Sequence, residues 1–458
     1  MKYYPLIPLF LLILIGCKNQ PPEVDLLISN VSVIDVVSGR ISVNQDVSID
    51  DSIIVEIINS DESKLRAKKN INGRGKYLIP SLWDMHVHIQ DSAYLEMFLD
   101  YGILGVRDMG GCASQPTDGC ESLCAEKLNE WKNAISEGTL AGPQLYIAGT
   151  QLSGTGWPTS ASVSSVIEVR NAFEHNLRNK VDFIKVYEKI PWESYQEIAR
   201  LSKKYDLDFV GHVSEPFLLS DILDLGQKSI EHIREPILYS FTNDSTVLEN
   251  FMVADNYTEK DREFVKPWID DAENVIDAFK RNQAWFTPTM AVQYARSRYR
   301  DEKWINHPLR EQMPKSVSIG LKKHMARMEK NEDKKGDALW WMALKKLVKR
   351  FNDEGIGLLA GSDTACEGGL PGFSLHEELK LMVDAGLSPL NALQTATINP
   401  VQFFKMKSAG KVKENYIANL ILLDENPLES IENTLKINTV IRNGKIHKNK
   451  NNSYNGYK

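Results

Sequence analysis

The feature that most constrains this chain is a recurrence. Short apolar runs end at Met85, Asp108, Gly149, Val186, His212, His232, Met290 and Ser362, and helical patterns such as Trp192–Tyr205 and Leu375–Ala385 lie between most of them. Parallel strands covered on both faces read as apolar runs joined by helices. Eight such units in roughly 300 residues are the expectation for a (β/α)8 TIM barrel.

The flanks carry a different rhythm. Leu26–Ile28, Val31–Ile34, Val47–Ile49 and Ile53–Ile58 read as short strands, punctuated by Ser38-Gly39 and Asp50-Asp51. Ala418–Leu423 and Thr439–Ile446 read as strands at the far end. The expected fold is α/β: a barrel over 76–409, clasped by a small β-sandwich built from 24–75 and 410–458. The segments Arg234–Ala284 and Tyr294–Glu354 are long for connections and read as insertions near the active-site face. Trp340-Trp341 would serve packing on a helix of the second one.

Composition removes several classes. Hydrophobic residues make up 42% and charged residues 25%, enough apolar material for a core and too much for disorder. Mean hydropathy of −0.31 excludes a multispan membrane protein. A net charge of −7 argues against a nucleic-acid partner.

At the N-terminus, the apolar run Leu6–Ile15 is too short to span a bilayer and has the size of a signal-peptide core. Leu14-Ile15-Gly16-Cys17 resembles the bacterial lipobox, in which the cysteine becomes lipidated. The expectation is a signal peptide over 1–16, a tether over 17–23, and an exported lipoprotein held to the membrane through Cys17, facing the periplasm or the cell surface. Cys112, Cys120, Cys124 and Cys366 then remain for an oxidising compartment. At least one disulfide is expected inside the Cys112–Cys124 loop, its partners unassigned.

The chemistry-bearing residues sit where the apolar runs end. In Trp83-Asp84-Met85-His86-Val87-His88, residues i and i+2 of a strand point the same way, so His86 and His88 can share one metal. Phe183-Ile184-Lys185-Val186-Tyr187 buries a lysine, which is costly unless the amine is paired or converted. Addition of CO2 would turn it into an anionic carbamate able to bridge two metals. His212, His232 and Asp363 each close a further apolar run. Barrel enzymes keep their chemistry at these C-terminal strand ends.

This set resembles the metal-dependent amidohydrolase superfamily. Val106-Arg107-Asp108, Ile230-Glu231-His232, His376-Glu377-Glu378-Leu379 and Ala396-Thr397-Ile398-Asn399-Pro400 are similar to its imidazolonepropionase-related branch, which includes Xaa-Pro dipeptidases. Asn419 departs from the aspartate usual there. The resemblance implies two divalent ions, zinc by default. His86, His88 and Asp363 would hold the first, His212 and His232 the second, with carbamylated Lys185 bridging. Asp363 would shuttle the proton from water to the leaving amine.

Tyr187, Arg234 and His376 are candidate substrate contacts, and Trp157 with Pro158 a pocket wall. The expected substrate is a dipeptide such as Xaa-Pro or another small amide, with self-association of the chain left open. The alternatives are hydrolysis of a cyclic amide such as an imidazolone, of another carboxamide, or of an ester, lactone or phosphotriester. An alternative of another class is a non-catalytic binding lipoprotein.

Overall fold

The computed structural model describes residues 23–113, 122–154, 159–214, 217–232, 272–297, 302–315, 318 and 334–449. Cys17, Cys120, Trp157, Pro158 and Arg234 lie outside the described residues, as do 1–16, most of the tether and much of both long insertions. Among the described residues, no helix is long and apolar enough to cross a membrane.

The middle of the chain builds two all-parallel sheets. One has three strands, Leu82–Val87, Ile103–Asp108 and Gln144–Ile147. The other has seven strands and runs from Ser160–Ser162 and Gln151–Ser153 through Ile184–Val186, Phe209–Gly211, Ser229–Glu231 and Trp285–Thr287 to Gly357–Leu358. Hydrogen bonds join the sheets at both edges. Asp182 N donates to Ile147 O at 2.9 Å on one side, and Met85 N donates to Ala360 O at 2.9 Å on the other. Val87 also bridges Thr364 in parallel register.

A two-residue period sorts the side chains. Ile184, Val186 and Ile230 pack outward under the helices. Phe183 and Val210 turn to the other side, where they join Trp83, Met85, Met109, Leu359 and Phe403 in an apolar plug. Lys185 and His212, two residues further along their strands, sit beyond that plug and are 1% exposed. The alternation therefore produces a packed floor with polar groups above it.

The helices follow their apolar spacing. Trp192–Tyr205 forms over the predicted range, burying Tyr195, Ile198 and Leu201 on one face, and it stops where Asp206 turns left-handed at φ 53°. The pattern at Leu375–Ala385 becomes the helix Phe373–Asp384, and a long helix, Lys334–Asp353, forms within the second insertion.

Both chain ends join one eight-stranded sheet. Leu26–Ile28 and Val31–Ile34 are not two strands but one, Glu23–Ile34, with register shifts around Val31 and a left-handed Asn30. This long strand pairs with Arg66–Asn72 along its first half and with Tyr77–Pro80 further on. The strand Arg66–Asn72 carries no alternating apolar pattern, so its sequence does not announce it. The sheet closes over its own core: Ile54 N donates to Tyr416 O at 2.9 Å, and Leu26, Ile28, Ile54, Leu420 and Ile441 pack together. Asn419 accepts from Asn443 N at 2.7 Å, so the amide holds the last turn of this sheet.

Candidate metal centre

The strand ends bring four imidazoles and a carboxylate into one buried group. Ring centroids lie 5.6 Å apart for His86 and His88, 4.5 Å for His86 and His232, and 5.1 Å for His212 and His232. Asp363 Oδ1 is 3.5 Å from His86 Nε2 and 3.5 Å from His88 Nε2, and its Oδ2 is 3.7 Å from His232 Nδ1. Donors bound to one tetrahedral ion at ordinary zinc bond lengths sit about 3.4 Å from each other. The chemistry of these donors fits a divalent metal ion: Asp363 Oδ1 stands at about that distance from His86 Nε2 and from His88 Nε2, and His86, His232 and Asp363 offer ligand atoms within 4.8 Å of one another. Asp363 belongs to both arrangements, so the described geometry does not divide the histidines between two separate ions.

Backbone shape delivers these groups. His232 and Asp363 are left-handed, with φ of 60° and 55°, and Thr289 beside them has φ of 47°. Non-glycine residues in this region carry strain that surrounding structure must hold, and such strain gathers at functional sites. Gly211 has φ of +140° and lies so close to the neighbouring strand that a Cβ would stand 2.0 Å from Val186 O. Only glycine lets the chain turn His212 inward there.

In His86 and His88 the second ring nitrogen is tied down. His86 Nδ1 donates to Glu231 Oε2 at 2.9 Å, which leaves Nε2 as the lone-pair nitrogen facing Asp363. His88 Nδ1 donates to Gly110 O at 3.0 Å, with the same consequence. His232 Nδ1 lies 2.5 Å from Thr289 Oγ1. Burial, and then the nearby Lys185 charge, push His88 down to about 3, so its imidazole is neutral and able to bind metal. Lys185 pairs in register with Val210, two residues before His212, on the neighbouring strand.

Arg107 organises the floor of the site. Fully buried, it donates to both Glu231 oxygens at 2.7 and 2.9 Å, to Met85 O at 2.6 Å and to Thr287 Oγ1 at 3.1 Å. Its guanidinium lies 5.1 Å from the centroid of the Phe403 ring. Burial lowers its pKa and the Glu231 carboxylate opposes that shift. Two further buried carboxylates brace the ligand-bearing strands. Asp84 accepts from Ser362 Oγ at 2.6 Å and Ser362 N at 2.9 Å, and Asp108 accepts from Ile89 N at 2.8 Å and Ser122 Oγ at 2.8 Å. Burial raises each to about 7.

The remaining candidates separate. Tyr187 joins the group, its ring centroid 4.2 Å from that of His212. His376 does not: its Nε2 donates to Tyr101 O at 3.0 Å and its Nδ1 lies 2.9 Å from Thr434 Oγ1. It ties the helix Phe373–Asp384 to the terminal segment, and a substrate contact is not where the fold puts it. Arg107, Glu231, Asp84, Asp108 and Ser122 are supports that the sequence reading assigned no role. The burial argument applied to Lys185 would have flagged Arg107 and Glu231, which also interrupt apolar runs. The expected disulfide is Cys112–Cys124. Cys366 is disulfide-bonded as well. Its sulfur lies near His88 and Asp363, but a disulfide sulfur is not a thiolate ligand.

The model of the amidohydrolase family matches residues 77–447. This chain belongs to the amidohydrolase family. It is an enzyme of the hydrolase class that acts on carbon–nitrogen bonds of small molecules, and its mixed α/β fold is the amidohydrolase fold. An Xaa-Pro dipeptidase with bound methionine in its active site superposes with a TM-score of 0.65 at 18% identity, over 92% of this chain and 99% of that one. A bottromycin amidohydrolase superposes with a TM-score of 0.67 at 19% identity, over 92% and 86%. A dihydroorotase from Carboxydothermus hydrogenoformans is 46% identical over 69 residues, which is 15% of this chain and 15% of that enzyme.

Proposed function

We propose that this amidohydrolase cleaves the amide bond of dipeptides, Xaa-Pro among them, at a divalent metal centre. The observation that carries the reading is the convergence of His86 Nε2 and His88 Nε2 on Asp363 Oδ1, each at 3.5 Å. The two parallel sheets, bonded at both edges, read as one (β/α)8 barrel within 76–409, beside the sheet built from both terminal segments, which also takes in Tyr77–Pro80. The ligand residues stand at the C-terminal ends of its strands.

His86, His88 and Asp363 would hold one ion, and His212 and His232 a second, with carbamylated Lys185 between them. Zinc suits nitrogen and carboxylate donors. Bound there, such ions lower the pKa of water and polarise a carbonyl. Asp363 takes the water proton on a carboxylate oxygen and returns it to the departing nitrogen. Glu231 keeps the His86 proton on Nδ1 throughout. Tyr187, against the His212 ring, would donate from its hydroxyl to the substrate. The lipobox-like Leu14–Cys17 supports export and lipid attachment, which would set the enzyme where nutrient peptides arrive.

The test is a panel of dipeptides, N-acyl amino acids and cyclic amides, assayed with metal-loaded protein. Xaa-Pro cleavage lost on Asp363→Asn supports the reading. Turnover of cyclic amides alone would replace the dipeptide with that class, and no turnover with any of them would leave the proposal without support.

A further inference from the structure

Ser122 lies at the centre of a buried network. Its Oγ donates to Asp108 Oδ2 at 2.8 Å and stands 3.3 Å from His88 Nδ1. Because the hydroxyl hydrogen goes to Asp108, the oxygen is left as a second acceptor for the Nδ1 proton of His88. Ser122 N donates to Gly110 O at 3.2 Å, the same carbonyl that accepts from His88 at 3.0 Å. Gly110 N donates to Asp108 Oδ1 at 3.0 Å. Ser122, Gly110 and Asp108 thus surround one nitrogen of one proposed ligand.

Nothing in the strand Ile103–Asp108 forces Ser122 to be there, since it returns from a separate stretch of chain. The return is fixed by a short pairing, in which Ala113 N donates to Ser122 O at 2.9 Å and Leu123 N donates to Ile89 O at 3.0 Å. The disulfide Cys112–Cys124 closes this pairing on its far side, with Cα atoms 4.0 Å apart. One sulfur belongs to the residue before Ala113 and the other to the residue after Leu123. The covalent link therefore holds together the two strands of chain that carry Gly110 and Ser122.

We infer that Ser122 and the Cys112–Cys124 disulfide form a positioning device for His88, a covalent brace that sets metal affinity. The inference rests on the metal-centre reading above. Partners that orient a ligand histidine typically change metal affinity by about 10- to 100-fold when removed. The brace acts through the orientation of His88.

The experiment measures zinc affinity by competition with a chromogenic chelator, using the full protein, for wild type, Ser122→Ala, Ser122→Thr and the double variant Cys112→Ala/Cys124→Ala. Zinc affinity should fall about 10- to 100-fold in Ser122→Ala and in the double variant. Ser122→Thr should restore it, and saturating zinc should restore kcat with KM unchanged. A cooperative melt confirms that each variant is folded; if the double variant does not fold, Ser122→Ala decides the matter. Folded variants that bind zinc within about twofold of wild type would overturn the brace while leaving the metal centre standing. Wild-type protein that binds no zinc would overturn the metal-centre reading and the brace with it.

Discussion

His86 Nδ1 is hydrogen-bonded to Glu231 Oε2 at 2.9 Å, across 145 residues of chain. Glu231 is in turn gripped by the buried Arg107. A single ion pair therefore fixes the ring orientation of a proposed metal ligand. Glu231→Gln keeps the shape and removes the charge. It should lower zinc affinity by about 10- to 100-fold, read by chelator competition. Unchanged affinity would show that His86 needs no such support.

Arg107 should matter for a different reason. Removing it leaves Glu231 buried without its counter-charge, and breaking a buried pair costs about 3–5 kcal/mol. Arg107→Met should show that loss in urea unfolding. Arg107→Met/Glu231→Met, which removes both charges, should recover part of it. A double variant less stable than either single one would contradict this account.

His376 is assigned to the fold and not to the substrate. Both ring nitrogens are occupied by Tyr101 and Thr434, and burial pushes the ring down to about 4. His376→Ala should cost about 1–3 kcal/mol by stranding buried partners. Zinc affinity and KM should stay at wild-type values. A raised KM with unchanged stability would return His376 to the pocket.

Glu378 gives the protein a pH signature. It is fully buried, accepts from Ala291 N at 2.6 Å, and burial, aided by the charges of Asp84 and Asp363, pushes it up to about 8. In the unfolded chain it ionises near its ordinary value of 4.5. Between those values the folded protein holds a proton that the unfolded chain has lost, so its contribution to stability falls as pH rises, by roughly 1.4 kcal/mol per unit. Glu378→Gln removes that slope. The variant should therefore gain on wild type from pH 5.5 to 8 in urea titrations. A constant difference between the two proteins would refute the assignment.

Residues dictated by local pattern were legible in the sequence. His86, His88, Lys185, His212, His232 and Asp363 each interrupt or end an apolar run, and a buried strand end is where such a polar group must have a purpose. Trp192–Tyr205 was legible because its apolar positions recur at helical spacing. What pairs across the chain was not legible. Nothing near Ser122 says that it returns under His88, and little in Arg66–Asn72 says strand, since most of its side chains are exposed and only Ile71 is buried, while the backbone pairs with Glu23–Ile34. His376 misled because a histidine shortly after Asp363 in the chain suits a site and a joint equally well; its partners, Tyr101 and Thr434, are set by the fold.

The most direct test of the central claim is the metal content of freshly purified protein by mass spectrometry, wild type beside His86→Ala/His88→Ala. The account predicts one to two equivalents of a divalent metal in wild type, and a loss of metal together with amide hydrolysis in the variant. Full hydrolytic activity in metal-free protein, or undiminished metal in the variant, would contradict it.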